Sequence, residues 1–274
     1  MTAAAAPAAA GSSFYLGMKV LPRAEREAMF AVYDFCRKVD DIADDQQGER
    51  SDRAAELDRW REDIDRLYAG GALGLAAGLR PWVERFGLRR DDFVAVIDGM
   101  AMDVAQDICW PSIAELDLYC DRVASAVGRL SVRIFGMEEA PGIALAHHLG
   151  RALQLTNILR DIDEDAAIGR VYLPCEPIDA AGIATGDIRA VIDDPRIDLA
   201  CRDIAATAHI HYAQASHILA ARPRGYLLAP RLMAAAYARL LRRMEATGWR
   251  APRERVRHNK LALIGTFAWL RITG

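Results

Sequence analysis

An all-α fold is what this 274-residue chain predicts. Strand-like alternation of apolar and polar residues is absent throughout, and apolar residues recur at helical spacing in run after run. Links rich in glycine and proline separate those runs. The expected architecture is one domain, a bundle of about ten helices around a deep central cavity.

Residues 1–10 (MTAAAAPAAA) are alanine-rich, with neither a basic start nor a long apolar stretch. Residues 1–11 therefore read as a disordered leader, not a secretion signal, and residues 12–274 as the domain. Pro22 precedes a long helix that reaches Asp44. Ser51 is placed to cap a second helix ending at Tyr68, with Leu57, Trp60, Ile64 and Leu67 on its apolar side. Gly70, Gly71, Gly74 and Gly78 loosen the next link, and Pro81 restarts a helix ending near Gly87. Asp91 is placed to cap the helix that contains Asp98 and Asp103, for which a partly exposed helix is a simpler account than a ligand role. Ser112 and Glu115 form a capping box. The helix they open is dense in small residues from Ala124 to Gly128, which suits close helix packing or an apolar ligand against the backbone. Residues 175–197 read as loop and short turns, and helices resume at about 198–221, 230–246 and 254–271.

Two runs carry chemistry. In YDFCRKVDDIAD, Tyr33, Arg37, Asp40 and Asp44 fall at i, i+4, i+7 and i+11, one stripe of a helix whose other sides are apolar. Two carboxylates a turn apart on a buried helix repel each other and are costly to desolvate. A hard divalent cation would remove both penalties, and a solvated acidic face near a helix end would avoid them. The run LQLTNILRDIDED repeats the pattern with Gln154, Asn157, Asp161 and Asp165. Two such stripes, about 120 residues apart, point to helices facing each other across a polar, metal-filled gap.

Composition narrows the classes. A net charge of −3 lacks the basic excess of a general nucleic-acid binder. Five cysteines form no C-x-x-C pair, which points to free thiols in a reducing, cytoplasmic setting. No apolar run is long enough to span a bilayer. The basic stretch Arg250 to Lys260, followed by LALIGTFAWL, is amphipathic and suits peripheral contact with a membrane surface. His209, His211 and His217 do not share a helix side, and adjacent His147 and His148 point apart, so all five read as core or surface histidines. No dinucleotide-binding glycine motif is present.

DDIAD and NILRDIDED, with YCDRVASAVG between them, resemble the squalene/phytoene synthases, a family of head-to-head prenyl transferases. The likeness covers nearly all of residues 12–245. It implies the all-helical isoprenoid-synthase fold, with two aspartate motifs facing across an apolar cavity. It also implies Mg²⁺ held by Asp40, Asp44, Asn157, Asp161 and Asp165 against the substrate diphosphates. Arg37, Asn157 and Arg160 stand where the family contacts diphosphate and metal, and Tyr33 and Tyr119 match tyrosines lining the reaction centre. Ser13 and Phe14 match a substrate-contacting segment, while Tyr172 and Tyr237 match more loosely. GSSFYLGMKVLP and DLYCDRVASAVGRLSVRIFG are most similar to the bacterial presqualene diphosphate synthases of hopanoid pathways. The implied reaction condenses two farnesyl diphosphates, and a squalene-forming enzyme downstream is an implied partner. Continuation to squalene, dehydrosqualene or phytoene stays open, as does a non-catalytic assembly role. One departure is Ser12, where many family members carry a basic residue.

Overall fold

The computed structural model describes residues 17–45, 48–72, 74–257 and 265–267. Among them are twelve α-helices, a 3₁₀ turn, a π turn and no named strand.

Helix α1 (Arg23–Asp44) follows Pro22 and buries Ala28, Met29, Val32, Phe35, Val39 and Ile42. Asp34, Arg37, Lys38 and Asp41 are exposed on its other side. The expectation of a helix buried all round is corrected: α1 is amphipathic, and its acidic stripe lies at the edge of the buried face. Phe35 anchors it in edge-to-face contact with Trp60 and Phe93, at centroid distances of 5.5 and 5.2 Å.

Helix α2 (Arg50–Tyr68) starts one residue ahead of Ser51, with Glu49 at the cap position, so Ser51 is not its cap. The 3₁₀ turn Leu75–Leu79 leads into α3 (Arg80–Phe86), which Gly87 ends in the left-handed conformation. Helix α4 (Arg90–Ala105) has Arg89 at its cap position; Asp91 and Asp92 lie in the first turn, where the helix dipole favours acids. The capping box is present: Glu115 N–H donates to Ser112 Oγ, and Ser112 N–H donates to the Glu115 carboxylate. It opens α5 (Ile113–Cys120), which passes through the π turn Asp121–Ser125 into α6 (Ala126–Ile134).

Helix α7 (Glu139–Arg160) stops at Asp161, where the backbone leaves the helical conformation at φ −105° and ψ 18°, and α8 (Ile162–Ala167) follows. The second acidic stripe therefore straddles a break and does not run along one uninterrupted helix. The segment expected to be loop contains two short helices, α9 (Cys175–Ala180) and α10 (Ile188–Ile192). Two long helices follow, α11 (Ile197–Ala220) and α12 (Leu228–Thr247). Residues 251–257 are not helical, contrary to the expected helix from 254; of residues 258–271 only the helical turn 265–267 is described.

Buried apolar residues form two clusters, one built mainly from α1, α2 and α4, the other from α7, α11 and α12. Val123 and Met137 pack against both. A single parallel bridge, with Val171 N–H donating to Ile108 C=O at 2.7 Å, ties the chain after α4 to the chain after α8. That staple places Asp103 beside Arg170 and Tyr172. All five cysteines are free thiols.

Candidate active site

An apolar cavity opens between the clusters. Met29 lines it from α1, Val127, Gly128 and Ser131 from α6, Leu149 and Leu153 from α7, and Met233 from α12. At 1.5 Å rise per residue, Asp40 and Asp44 lie roughly 17–23 Å further along α1 than Met29. Asn157 lies one turn past Leu153 on α7. Both helices thus carry a cavity-lining apolar stretch followed by their polar motif. The small-residue stretch packs closely against α7 and also lines the cavity. Ala124 and Gly128 face the cavity, while a Cβ on Gly150 would come within 2.7 Å of the Ser125 backbone.

At the acidic end the carboxylates of α1, α4 and α8 converge. Asp103 is 3% exposed and accepts hydrogen bonds from Tyr119 at 3.0 Å and Tyr172 at 2.6 Å. The two tyrosine rings stack with centroids 4.8 Å apart. Burial pushes Asp103 up to about 6, against the pull of the Tyr172 hydroxyl, Arg170 and the Tyr119 hydroxyl. Burial and then the Asp44 charge push Asp40 up to about 6. Burial and then the Asp161 charge push Asp165 up to about 7. Asp103 adds to the rise of both, so the two motifs lie within electrostatic reach of each other and of Asp103. The partly exposed reading of Asp103 is overturned, because α4 turns that side chain into the gap between the clusters. Asp98, one turn earlier, pairs with Arg61 instead.

Cations surround this pool. Arg37 holds Asp40 at 2.6 Å and Asp41 at 2.5 Å from the solvent side, with Tyr33 half-buried next to it. Arg170, 3% exposed, donates to Asp44 at 2.7 Å and to Ala43 C=O at 2.7 Å. Arg160 pairs with Asp161 and has Tyr237 beside it. Arg255 also donates to Asp161, at 2.6 Å, and Arg253 to Asp163 at 2.6 Å. These two arginines belong to the stretch expected to meet a membrane, and in the structure they pair with carboxylates of the second aspartate motif. Trp249 pins that segment, its indole N–H donating to Leu159 C=O at 2.9 Å.

Asn157 Oδ1 is buried and has no hydrogen-bond partner among the described residues. An orphaned hard oxygen one turn from Asp161, near carboxylates that repel one another, is the donor set a hard divalent cation favours. The residues therefore fit such an ion. Of the expected site residues, the structure gathers Asp40, Asp44, Asp165, Tyr119 and Tyr172 around Asp103. Asn157, Arg160, Asp161 and Tyr237 sit on the facing side. Ser13 and Phe14, like Ser12 and the leader, lie outside the described residues. Asp103, Arg170, Arg253 and Arg255 were missed. For Asp103 alone there was a local signal, a carboxylate inside an apolar helix.

The chain matches the squalene/phytoene synthase family over residues 8–262. It is 62% identical to a presqualene diphosphate synthase of Zymomonas mobilis over 97% of this chain and 91% of that protein. A second presqualene diphosphate synthase, from Sinorhizobium fredii, is 53% identical over 92% of this chain and 90% of that protein. Among solved structures, a squalene synthase from Alicyclobacillus acidocaldarius superimposes with a TM-score of 0.77 at 25% identity, over 86% of this chain and 89% of that one.

Proposed function

The chain belongs to the squalene/phytoene synthase family, and on that premise we propose that it condenses two farnesyl diphosphates head to head into presqualene diphosphate. The carrying observation is the meeting of Asp40, Asp44, Asp103 and Asp165, from α1, α4 and α8, beyond the stretches of α1 and α7 that line an apolar cavity. Such a site takes a molecule with an apolar chain and a polyanionic head. The choice of presqualene diphosphate as product rests on the names of the relatives that match over nearly the whole length.

Asp40, Asp44, Asn157, Asp161 and Asp165 would hold Mg²⁺, which supplies the positive charge that makes diphosphate a leaving group. Arg37, Arg160 and Arg170 add fixed positive charge at the same end. The C1–O bond of one substrate breaks, and its electron pair leaves with diphosphate. The C2=C3 double bond of the second substrate bonds to that C1, leaving the cation at C3. Loss of a proton from the same C1 supplies the electron pair that closes the three-membered ring onto C3. Apolar side chains around the cavity keep water from the cation. Tyr119 and Tyr172 donate to Asp103, and burial raises both phenols, so they keep their own protons. Their role is to place ring electron density and the Asp103 charge near the cation. The released diphosphate takes the proton.

The product retains one diphosphate and a cyclopropane, so a reductive rearrangement by a downstream enzyme of a hopanoid route is its outlet. Incubating purified protein with farnesyl diphosphate and Mg²⁺, with and without NADPH, tests the reading. Presqualene diphosphate is expected in both cases. Squalene, dehydrosqualene or phytoene as main product would overturn the end point, and absence of diphosphate release would overturn the activity.

A further inference from the structure

Away from the carboxylates, three imidazoles meet on the outer side of the α7–α11 contact. His147 and His148 come from α7 and His211 from α11, and a ligand atom of each lies within 4.8 Å of the others. The expectation that His147 and His148 point apart is corrected. Their rings are edge to face at 4.7 Å, and His211 reaches in from the neighbouring helix to within 5.9 and 5.2 Å of them. Their spacing in sequence gives no sign of this, because the third ring arrives from another helix.

The hydrogen bonding is unusual for structural histidines. His148 Nδ1 and His211 Nδ1 face each other at 3.0 Å, so one proton serves two ring nitrogens. Among the described residues that contact is the only hydrogen bond these three rings make. Burial and the neighbouring Arg151 favour neutral rings, the form that binds a metal. Arg151 does not present a free charge to a cation. It is held by Asp117 at 2.6 and 2.9 Å and by Asp121 at 3.1 Å, which offset part of its charge. His147 is exposed and the other two are half-buried, so an ion has a way in.

We propose that His147, His148 and His211 form a binding site for one borderline-soft divalent transition ion such as Zn²⁺, separate from the hard-oxygen carboxylate site. Imidazole nitrogens select Zn²⁺, Ni²⁺ or Cu²⁺ over Mg²⁺, whereas carboxylate oxygens suit Mg²⁺. Zinc–nitrogen bonds of about 2.0–2.1 Å in a tetrahedral set place the nitrogens about 3.4 Å apart. The facing pair then opens by a few tenths of an ångström, a movement that rotation of two rings on the protein's edge supplies. An ion here ties α7, which carries Asn157 and leads to Asp161, to α11.

The test uses the full chain in excess Mg²⁺, which keeps the carboxylates occupied. Zn²⁺ is titrated by calorimetry, and Cu²⁺ is added for electron paramagnetic resonance. One Zn²⁺ per chain, a raised thermal midpoint and nitrogen hyperfine structure from imidazoles are expected. His148→Ala and His211→Ala should each weaken binding by about 100-fold. His209→Ala, a histidine paired with Glu245 at 2.9 Å, should leave it unchanged. His147→Ala removes only an exposed ring and keeps the test decisive should either of the other two variants fail to fold. Zn²⁺ binding that survives all three alanine variants, or that is lost in Asp161→Asn with the histidines intact, would overturn the site.

Discussion

Asp165 shows how a single carboxyl reports on the site. Its folded value, about 7, lies above the ordinary carboxylate range, so the folded protein holds a proton that the unfolded chain releases near pH 4. Below pH 4 both states are protonated and the group costs nothing. Between about pH 4 and 7 stability falls as pH rises, by up to about 1.4 kcal/mol per pH unit for one such group, and above pH 7 it levels off. Asp40 and Asp103 act in the same direction up to about pH 6. In EDTA, Asp165→Asn should therefore raise stability at pH 7.5 by about 1–3 kcal/mol and flatten the pH profile, as read by thermal melting. The same variant should lose at least about hundredfold in diphosphate release with Mg²⁺, since one of the carboxylates proposed to hold the ion is gone. Equal melting of both proteins at pH 7.5 would remove Asp165 from the carboxylate pool. Tyr119→Phe tests a neighbouring residue. It deletes one of the two hydroxyl donors to Asp103, leaving Tyr172 at 2.6 Å. A stability loss of about 1–2 kcal/mol and a slower turnover with unchanged product are expected. A fully active Phe variant would reduce Tyr119 to a wall of the cavity.

At the scale of elements, close packing of α6 and the π turn against α7 decides where the cavity and the aspartates sit. Gly150 meets Ser125 Cα at 2.7 Å and Ser125 N at 2.8 Å from an added Cβ, and neither backbone atom can swing aside. Gly150→Ala should cost about 1–3 kcal/mol in denaturant unfolding and weaken substrate binding, because α7 is pushed away from the cavity wall. Gly78→Ala, with nothing within 4 Å of the new methyl, is the control and should be neutral or slightly stabilising. Similar losses for the two variants would show that helix separation at Ser125 is not limiting. The break at Asp161 matters in the same way. It lets Asp161 face Arg160 and Arg255 while Asp165, one turn later, turns toward Asp103.

Across the whole molecule, the acidic gap lies where the two apolar clusters meet, and Arg170 is the cation that joins its sides. It follows the second aspartate motif in sequence yet donates to Asp44 and Ala43 of the first, over a separation of 126 residues for Asp44. Arg170→Ala would leave Asp44, Asp103 and Asp165 facing each other and remove the shorter of two arginine contacts to the Ala43 carbonyl, that from Arg53 remaining at 3.1 Å. A loss of about 3 kcal/mol is expected without metal, and added Mg²⁺ with inorganic diphosphate should restore part of it. Melting curves with and without those additions check this. A loss that Mg²⁺ and diphosphate do not reduce would mean that Arg170 only packs the two halves together.

Local periodicity and punctuation determined the helical class, most helix positions and the Ser112 capping box, since each depends on residues within a few positions of one another. The two aspartate stripes were legible for the same reason, and their order and wording carried the family. Helix starts at Arg50 and Arg90 and the break at Asp161 were not legible, because propensity is nearly flat across a helix end and packing chooses the last turn. What only the tertiary structure decided are contacts between residues far apart in the chain: Asp103 under Tyr119 and Tyr172, Arg170 on Asp44, Arg255 on Asp161, and His211 against His148. A charge or an imidazole looks alike in sequence whether it ends in water or in a gap between helices. Its partner is set by how the apolar faces of the helices pack, and burial then sets its proton affinity.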